Sequence, residues 1–326
     1  MSEPKIAASS LHAEKDGGER DGISRAEGLA SSPPSPVGGE KEASPRLLGP
    51  VEIRSLAAAH GIVPTKKLGQ NFVHDAGTVR KIVAVAGVKP DETVLEVGPG
   101  LGSLTLGLLE AGAWVEAIEI DRGLAAALPA TVAMRGADWA DRLTVINADA
   151  VTLDYGGIPR PPVALVANLP YNVAVPILLT ALSQLPSLRR SLVMVQKEVA
   201  DRLVAAPGNK TYGAPTVKLA WYGEAKRAGT IGPHVFWPKP NVDSALVFVS
   251  LYEDARGNEE LRRQTFSLVD AAFEQRRKMI RASLRNVVSD PILLAEVLER
   301  AGVPGDVRPE SLTINDFIRI AEALES

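Results

Sequence analysis

The sequence predicts an α/β protein: a doubly wound parallel sheet followed by a smaller all-helical C-terminal domain. Three observations carry this reading. Short apolar runs rich in β-formers alternate with helical patterns between residues 93 and 196. Glycines at 98, 100 and 102 fall where the first of these strands meets its helix. Beyond about residue 256 only helical periodicity remains. Alternating strands and helices bury both faces of a parallel sheet, so the pattern itself selects this layer architecture.

Each element follows from its own pattern. Residues 1–46 read as a disordered tail, since Ser31-Ser-Pro-Pro-Ser-Pro-Val-Gly-Gly39 has no periodicity and little to bury. Val51–His60 reads as a short helix ended by Gly61. A mixed basic and aromatic segment, Lys66–Asp75, precedes a helix with Val79, Ile82 and Val83 on its apolar side. Strands are expected at Thr93–Val97, Trp114–Ile120, Leu143–Asn147, Val163–Ala167 and Leu192–Gln196. Helices are expected at Ser103–Ala111, Leu124–Met134, Pro176–Leu185, Glu198–Ala205 and Ala214–Tyr222. Ser244–Ser250 reads as a late strand, antiparallel to the rest. The α/β domain is thus assigned to 47–255 and the helical domain to 256–326. In the latter, helices are expected over Leu261–Phe273, Arg276–Val288, Ile292–Ala301 and Ile314–Leu324. Thr313 and Asp316 form a capping-box signature for the last.

Composition narrows the function classes. The 326 residues contain no cysteine, which excludes disulfides and thiolate metal sites and fits a reducing, cytoplasmic setting. The four histidines, His12, His60, His74 and His234, show no metal-ligand spacing, so no metal is expected. No apolar run is long enough to span a bilayer, and the first residues lack the apolar core of a secretory signal. Net charge is −3, so a nucleic-acid surface would have to be a local basic patch.

The glycine loop points to a nucleotide-like cofactor, because open α/β sheets bind ligands beyond the carboxyl ends of their strands. Its spacing is GxGxG with Ser103 next, where a dinucleotide fingerprint needs GxGxxG. Glu119 ends the second strand, where a carboxylate can accept both ribose hydroxyls. Asp149 follows the third strand and can accept from an adenine amine. Glu96, Gly98 and Glu119 with this spacing favour S-adenosyl-L-methionine over a nicotinamide cofactor.

A second loop, Asn168-Leu-Pro-Tyr171, follows the fourth strand. The amide oxygen of Asn168 can accept from an amine, Pro170 stiffens the turn, and Tyr171 offers a face for stacking. This set suits the exocyclic NH2 of a flat heterocycle such as adenine.

These motifs occur together with Leu68-Gly-Gln-Asn-Phe72, Phe236-Trp-Pro-Lys-Pro-Asn-Val-Asp-Ser244 and Phe273-Glu-Gln-Arg-Arg-Lys278. From about Val51 onward the chain therefore resembles the ribosomal RNA adenine dimethyltransferases, in particular their bacterial small-subunit branch. The resemblance implies a Rossmann-like class I methyltransferase sheet. It implies two methyl transfers to N6 of each of two adjacent adenosines in the 3′-terminal hairpin of 16S rRNA, as part of small-subunit biogenesis. It also implies cofactor contacts at Asn71, Val73, Gly98, Glu119, Asp149 and Asn168. In such an enzyme the Asn168 oxygen and the Leu169 carbonyl would accept the two N6 protons. Tyr171 would stack on the target base, with Phe236 a candidate for its other face. Arg276, Arg277, Lys278 and Arg281 are candidate RNA contacts, and Arg277, Arg281 and Arg285 would share one face of the expected helix. A monomer acting on 16S rRNA is expected. Two rival functions are a large-subunit rRNA adenine methylase and a non-catalytic ribosome-assembly or transcription factor on the same fold.

Overall fold

The computed structural model describes residues 47–64 and 70–325. The expected tail, and the expectations for Lys66, Lys67 and Leu68, lie outside the described residues. The chain starts with α1 (Pro50–Ala59) and a two-residue strand, β1 (Phe72–Val73). In α2 (Ala76–Ala86) the first turn is capped by Asp75, which accepts from the Thr78 N–H at 2.6 Å. The alternation follows as β2 (Thr93–Val97), α3 (Ser103–Glu110), β3 (Trp114–Glu119), α4 (Arg122–Ala133) and β4 (Leu143–Asn147). It continues with β5 (Ala164–Asn168), α5 (Ala174–Gln184), β6 (Arg190–Gln196) and α6 (Lys197–Leu203). Next come α7 (Ala214–Tyr222), β7 (Gly223–Ile231), β8 (Phe236–Trp237) and β9 (Ser244–Leu251). The remainder is helical: α8 (Glu259–Glu274), α9 (Ile280–Ser283), α10 (Pro291–Arg300) and α11 (Ile314–Glu325).

The main sheet has the order β4-β3-β2-β5-β6-β9-β7. Strands β2 to β6 are parallel, and β9 runs antiparallel between β6 and β7, as the alternation in its sequence implied. Successive residues of β6 feed opposite cores: Leu192 and Met194 one, Val193 and Val195 the other. This explains why the strands read as continuous apolar runs. A third core joins Leu268, Phe317 and Ile320 of the C-terminal helices to Tyr212, Val217 and Trp221. No helix among the described residues is long and apolar enough to cross a membrane.

After β2 the chain builds outward to β3 and β4, then crosses back to place β5 on the other side of β2. The strand order therefore reverses between β2 and β5. That reversal opens a crevice at their carboxyl ends. The glycine loop leaves β2 there, and Asn168 ends β5 there.

Three elements differ from the sequence reading. β7 was not expected, because Gly223-Glu-Ala-Lys-Arg-Ala-Gly-Thr-Ile231 lacks an apolar run. It is an edge strand with Glu224 and Lys226 exposed and a register shift between Arg227 and Gly229, devices that protect a sheet edge. The β1–β8 pair, Phe72 with Trp237 and Val73 with Phe236, is too short to leave a periodic pattern. The continuous helix expected over Arg276–Val288 does not form. Met279 is extended (φ −67°, ψ 152°), and only Ile280–Ser283 is α-helical before a 3₁₀ turn at Leu284–Asn286. The Ile280 and Arg281 N–H groups instead donate to the carbonyls of Val307 and Gly305, at 2.7 and 3.2 Å. Arg277, Arg281 and Arg285 consequently do not share a single helical face.

Candidate active site

The crevice holds a cavity of about 190 Å3. Its floor is the glycine loop. Gly98, Gly100 and Gly102 all have positive φ (72°, 58° and 93°), a region that side chains other than glycine rarely adopt. At Gly100 a Cβ would also lie 2.7 Å from the Phe72 ring. The loop is pinned to β3 by the Gly98 N–H, which donates to the Ile118 carbonyl at 2.8 Å.

Glu119 is 5% exposed, and its carboxylate is held from both sides by backbone. Oε2 accepts from the Gly100 N–H at 3.1 Å, and Oε1 accepts from the Asp121 N–H at 2.9 Å. Each oxygen retains a lone pair for a hydroxyl. Burial raises the Glu119 carboxyl above its ordinary range, against those backbone donors. Glu96 also lines the cavity and is 1% exposed. Burial pushes its carboxyl up to about 8; the Thr105 hydroxyl, donating to Oε2 at 2.6 Å, opposes that shift and the Glu119 charge adds to it. Asp149 is exposed at the rim, with Oδ1 accepting from the Val151 N–H at 2.9 Å.

The segment Gln70–Val73 forms one wall. Two side chains tie it down. Ser103 Oγ donates to the Val73 carbonyl at 2.5 Å, and Asn168 Nδ2 donates to the Asn71 carbonyl at 3.0 Å. Six positions implied as cofactor contacts, Asn71, Val73, Gly98, Glu119, Asp149 and Asn168, are thereby gathered around one cavity.

The second loop is divided between cavity and core. Asn168 and Pro170 line the cavity, and so do Asn172 and Val173. Leu169 is 1% exposed and donates its N–H to the Met194 carbonyl at 3.1 Å. Neither Leu169 nor Tyr171 is part of the cavity lining. The Tyr171 hydroxyl is bonded to Ser244 Oγ at 2.8 Å, and burial raises its pKa, with the Ser244 bond opposing. Phe236 is 2% exposed: it lies in β8, opposite Val73 of β1, and is part of the apolar core. In this arrangement its ring has no open face, so a second stacking surface is not formed by Phe236 as it stands.

The basic residues also divide. Arg276 is committed: its guanidinium donates to Glu310 Oε2 at 2.8 and 3.2 Å and to the Lys210 carbonyl at 2.8 Å. Arg277, Lys278 and Arg281 are exposed. The sequence reading missed Asn172, Ser244 and the role of Ser103. Ser103 was visible there only as a departure from the third glycine of a dinucleotide loop.

Comparison with known proteins bears on what this cavity serves. The family model for ribosomal RNA adenine dimethylase matches residues 64–326. The chain belongs to the ribosomal RNA adenine dimethylase family. A family relative from Leifsonia xyli, Ribosomal RNA small subunit methyltransferase A, is 58% identical over 276 residues, covering 85% of this chain and 98% of that protein. The protein of the same name from Rhodococcus opacus is 56% identical over 277 residues, covering 84% and 94%. Among solved structures, a Plasmodium falciparum dimethyladenosine transferase superposes with TM-score 0.65 at 23% identity, over 76% of this chain and 95% of that one. The 23S rRNA methyltransferase ErmE superposes with TM-score 0.58 at 26% identity, over 78% and 100%.

Proposed function

We propose that this protein dimethylates N6 of two adjacent adenosines in the 3′-terminal hairpin of 16S rRNA, with S-adenosyl-L-methionine as methyl donor. Identities of 50–58% to proteins named Ribosomal RNA small subunit methyltransferase A support the small-subunit branch over the large-subunit one. The intact cavity speaks against a non-catalytic factor. The enzyme acts in the cytoplasm as a monomer.

One observation carries the chemistry. Asn168 Nδ2 is used by the Asn71 carbonyl, so the amide is oriented and Oδ1 is the atom left to accept. The residues fit the cofactor. Glu119 would take the ribose hydroxyls, Asp149 the adenine amine, and Phe72, Leu101 and Ile118 supply apolar walls. When bound, the cofactor supplies an electrophilic methyl group. The chain's own task is to orient the acceptor amine. Adenine N6 is a weak nucleophile because its lone pair is delocalised into the ring. Asn168 Oδ1 and the Leu169 carbonyl accept its two protons and favour a pyramidal nitrogen with its lone pair directed at the methyl. Positioning and fixed dipoles of this kind account for large rate factors. The ring of Tyr171 holds the base once it has left its stack. After transfer the nitrogen loses a proton to water. Exposed Arg277, Lys278 and Arg281 of the helical domain contact rRNA phosphates.

Incubation with undermethylated small subunits and labelled cofactor, followed by base mapping, tests the reading. Dimethylation of two adjacent adenosines near the 3′ end is expected. Label confined to large-subunit rRNA, or no label, would overturn it.

A further inference from the structure

The hydroxyl of Ser244 stands out among the buried polar groups. Ser244 opens β9, opposite Gln196 of β6 and Ile231 of β7, and is 0% exposed. Its strand face continues into Leu246 and Phe248, both part of an apolar core. A bare hydroxyl there would lose its hydration without compensation. A serine costs stability at this position unless something answers it. The Tyr171 hydroxyl answers it at 2.8 Å, over 73 residues of sequence.

The placement of this bond matters more than its strength. Tyr171 lies three residues beyond the end of β5, whereas β9 lies on the other side of β6. The bond therefore joins the two elements that flank β6. Within the same loop, Asn168 is tied to Asn71, and the Leu169 N–H to Met194 of β6. Tyr171 is tied at the far tip of its ring. A phenol fixed at its oxygen and at its Cα has almost no freedom left in χ1 and χ2. Tyr171 is half-buried. Because burial raises its pKa, the phenol stays protonated and keeps the bond across the physiological range.

We propose that Ser244 is a positioning residue for methyl transfer. It fixes the plane of the Tyr171 ring, so that the target adenine stacks with N6 in register with Asn168 Oδ1. Ser244 touches neither base nor cofactor; it acts through Tyr171. The inference rests on the reading of Tyr171 as the stacking residue.

A double-mutant cycle tests it. Tyr171→Phe keeps the ring and removes the tether; Ser244→Ala removes the same bond from the other end. Each is expected to lower kcat/KM for undermethylated small subunits about three- to tenfold, the scale of one hydrogen bond. The double variant should lose no more than either single variant. Cofactor affinity, measured by calorimetry, should stay within about twofold of wild type, and the loss should fall on kcat. Losses that multiply in the double variant would overturn the proposal. So would singles whose only change is a lower Tm, since a merely structural bond leaves turnover per folded enzyme unaltered. Tyr171→Ala separates this proposal from the reading beneath it, because removing the stacking face should cost on the order of 10- to 100-fold. A harmless Tyr171→Ala would sink the stacking role itself. A severe Tyr171→Ala with a harmless Tyr171→Phe would sink the tether alone.

Discussion

Asn168 Nδ2 donates to the Asn71 carbonyl at 3.0 Å, across 97 residues of chain. The contact links a wall of the cavity to the residue proposed to meet the acceptor amine. It uses the amide nitrogen and leaves Oδ1 as the acceptor end. A carboxylate at position 168 could not make this bond, because it has no donor to offer Asn71. An uncharged acceptor matches an amine that begins the reaction neutral.

Glu119 should be intolerant even of its amide. Both oxygens accept from backbone N–H groups, so a glutamine would turn its NH2 toward Gly100 or Asp121. Hydrogen bonds to a charged group contribute about 1.5–3 kcal/mol. Glu119→Gln is expected to weaken S-adenosyl-L-methionine binding at least tenfold by calorimetry. Unchanged affinity would remove Glu119 from the cofactor site.

Glu96 should make the cofactor-free protein less stable as pH rises. Its carboxyl titrates near 8 in the fold and near 4.5 when solvated. Between those values the native state holds a proton that the unfolded chain has released. The stability from this group is therefore complete below about 4.5 and is lost as pH climbs toward 8, by on the order of a few kcal/mol. Glu96→Gln cannot ionise. Its Tm should fall less than that of wild type between roughly pH 5 and pH 8.5, read by differential scanning fluorimetry. Parallel profiles would mean that Glu96 is not held protonated.

Arg276 and Arg277 are neighbours with different expected phenotypes. Arg276 is engaged with Glu310 and the Lys210 carbonyl, whereas Arg277 is exposed. Arg276→Ala should lower Tm by a few degrees, on the scale of about 1 kcal/mol. Arg277→Glu should leave Tm unchanged and flatten the salt dependence of rRNA binding by about one phosphate contact or more. The same salt slope in both variants would place the phosphate track elsewhere.

The sheet was legible because its strands are apolar runs separated by glycine and aspartate signals, and tertiary packing reinforces that pattern at β2 to β6. Glu119, Asp149 and Asn168 could be singled out because each lies at or just beyond a strand end, where a parallel sheet collects its ligands, whereas Asn71 and Val73 stand at the separate β1–β8 pair and were implied only by the family resemblance. What escaped was non-local. β7 is stabilised by pairing with β9, where Lys226 lies opposite Phe248 and Arg227 opposite Val247, so these residues can occupy strand positions without an apolar run of their own. The break at Met279 arises because carbonyls from Gly305 and Val307 capture N–H groups that a continuous helix would have used. Phe236 read as a stacking aromatic, yet its pairing beside Val73 buries it. Ser244 and Tyr171 are 73 residues apart, and no local pattern announces their bond.

The most direct test of the central assignment is Asn168→Ala, assayed in parallel for methyl transfer to undermethylated small subunits and for cofactor affinity. Removing one preorganised hydrogen-bonding group, an oxyanion-hole donor, costs about 100- to 1000-fold in kcat, and the same scale is expected for the Asn168 acceptor. Transfer should fall by at least that factor while S-adenosyl-L-methionine binding remains measurable. Near-normal turnover in this variant would contradict Asn168 as the residue that orients the acceptor amine.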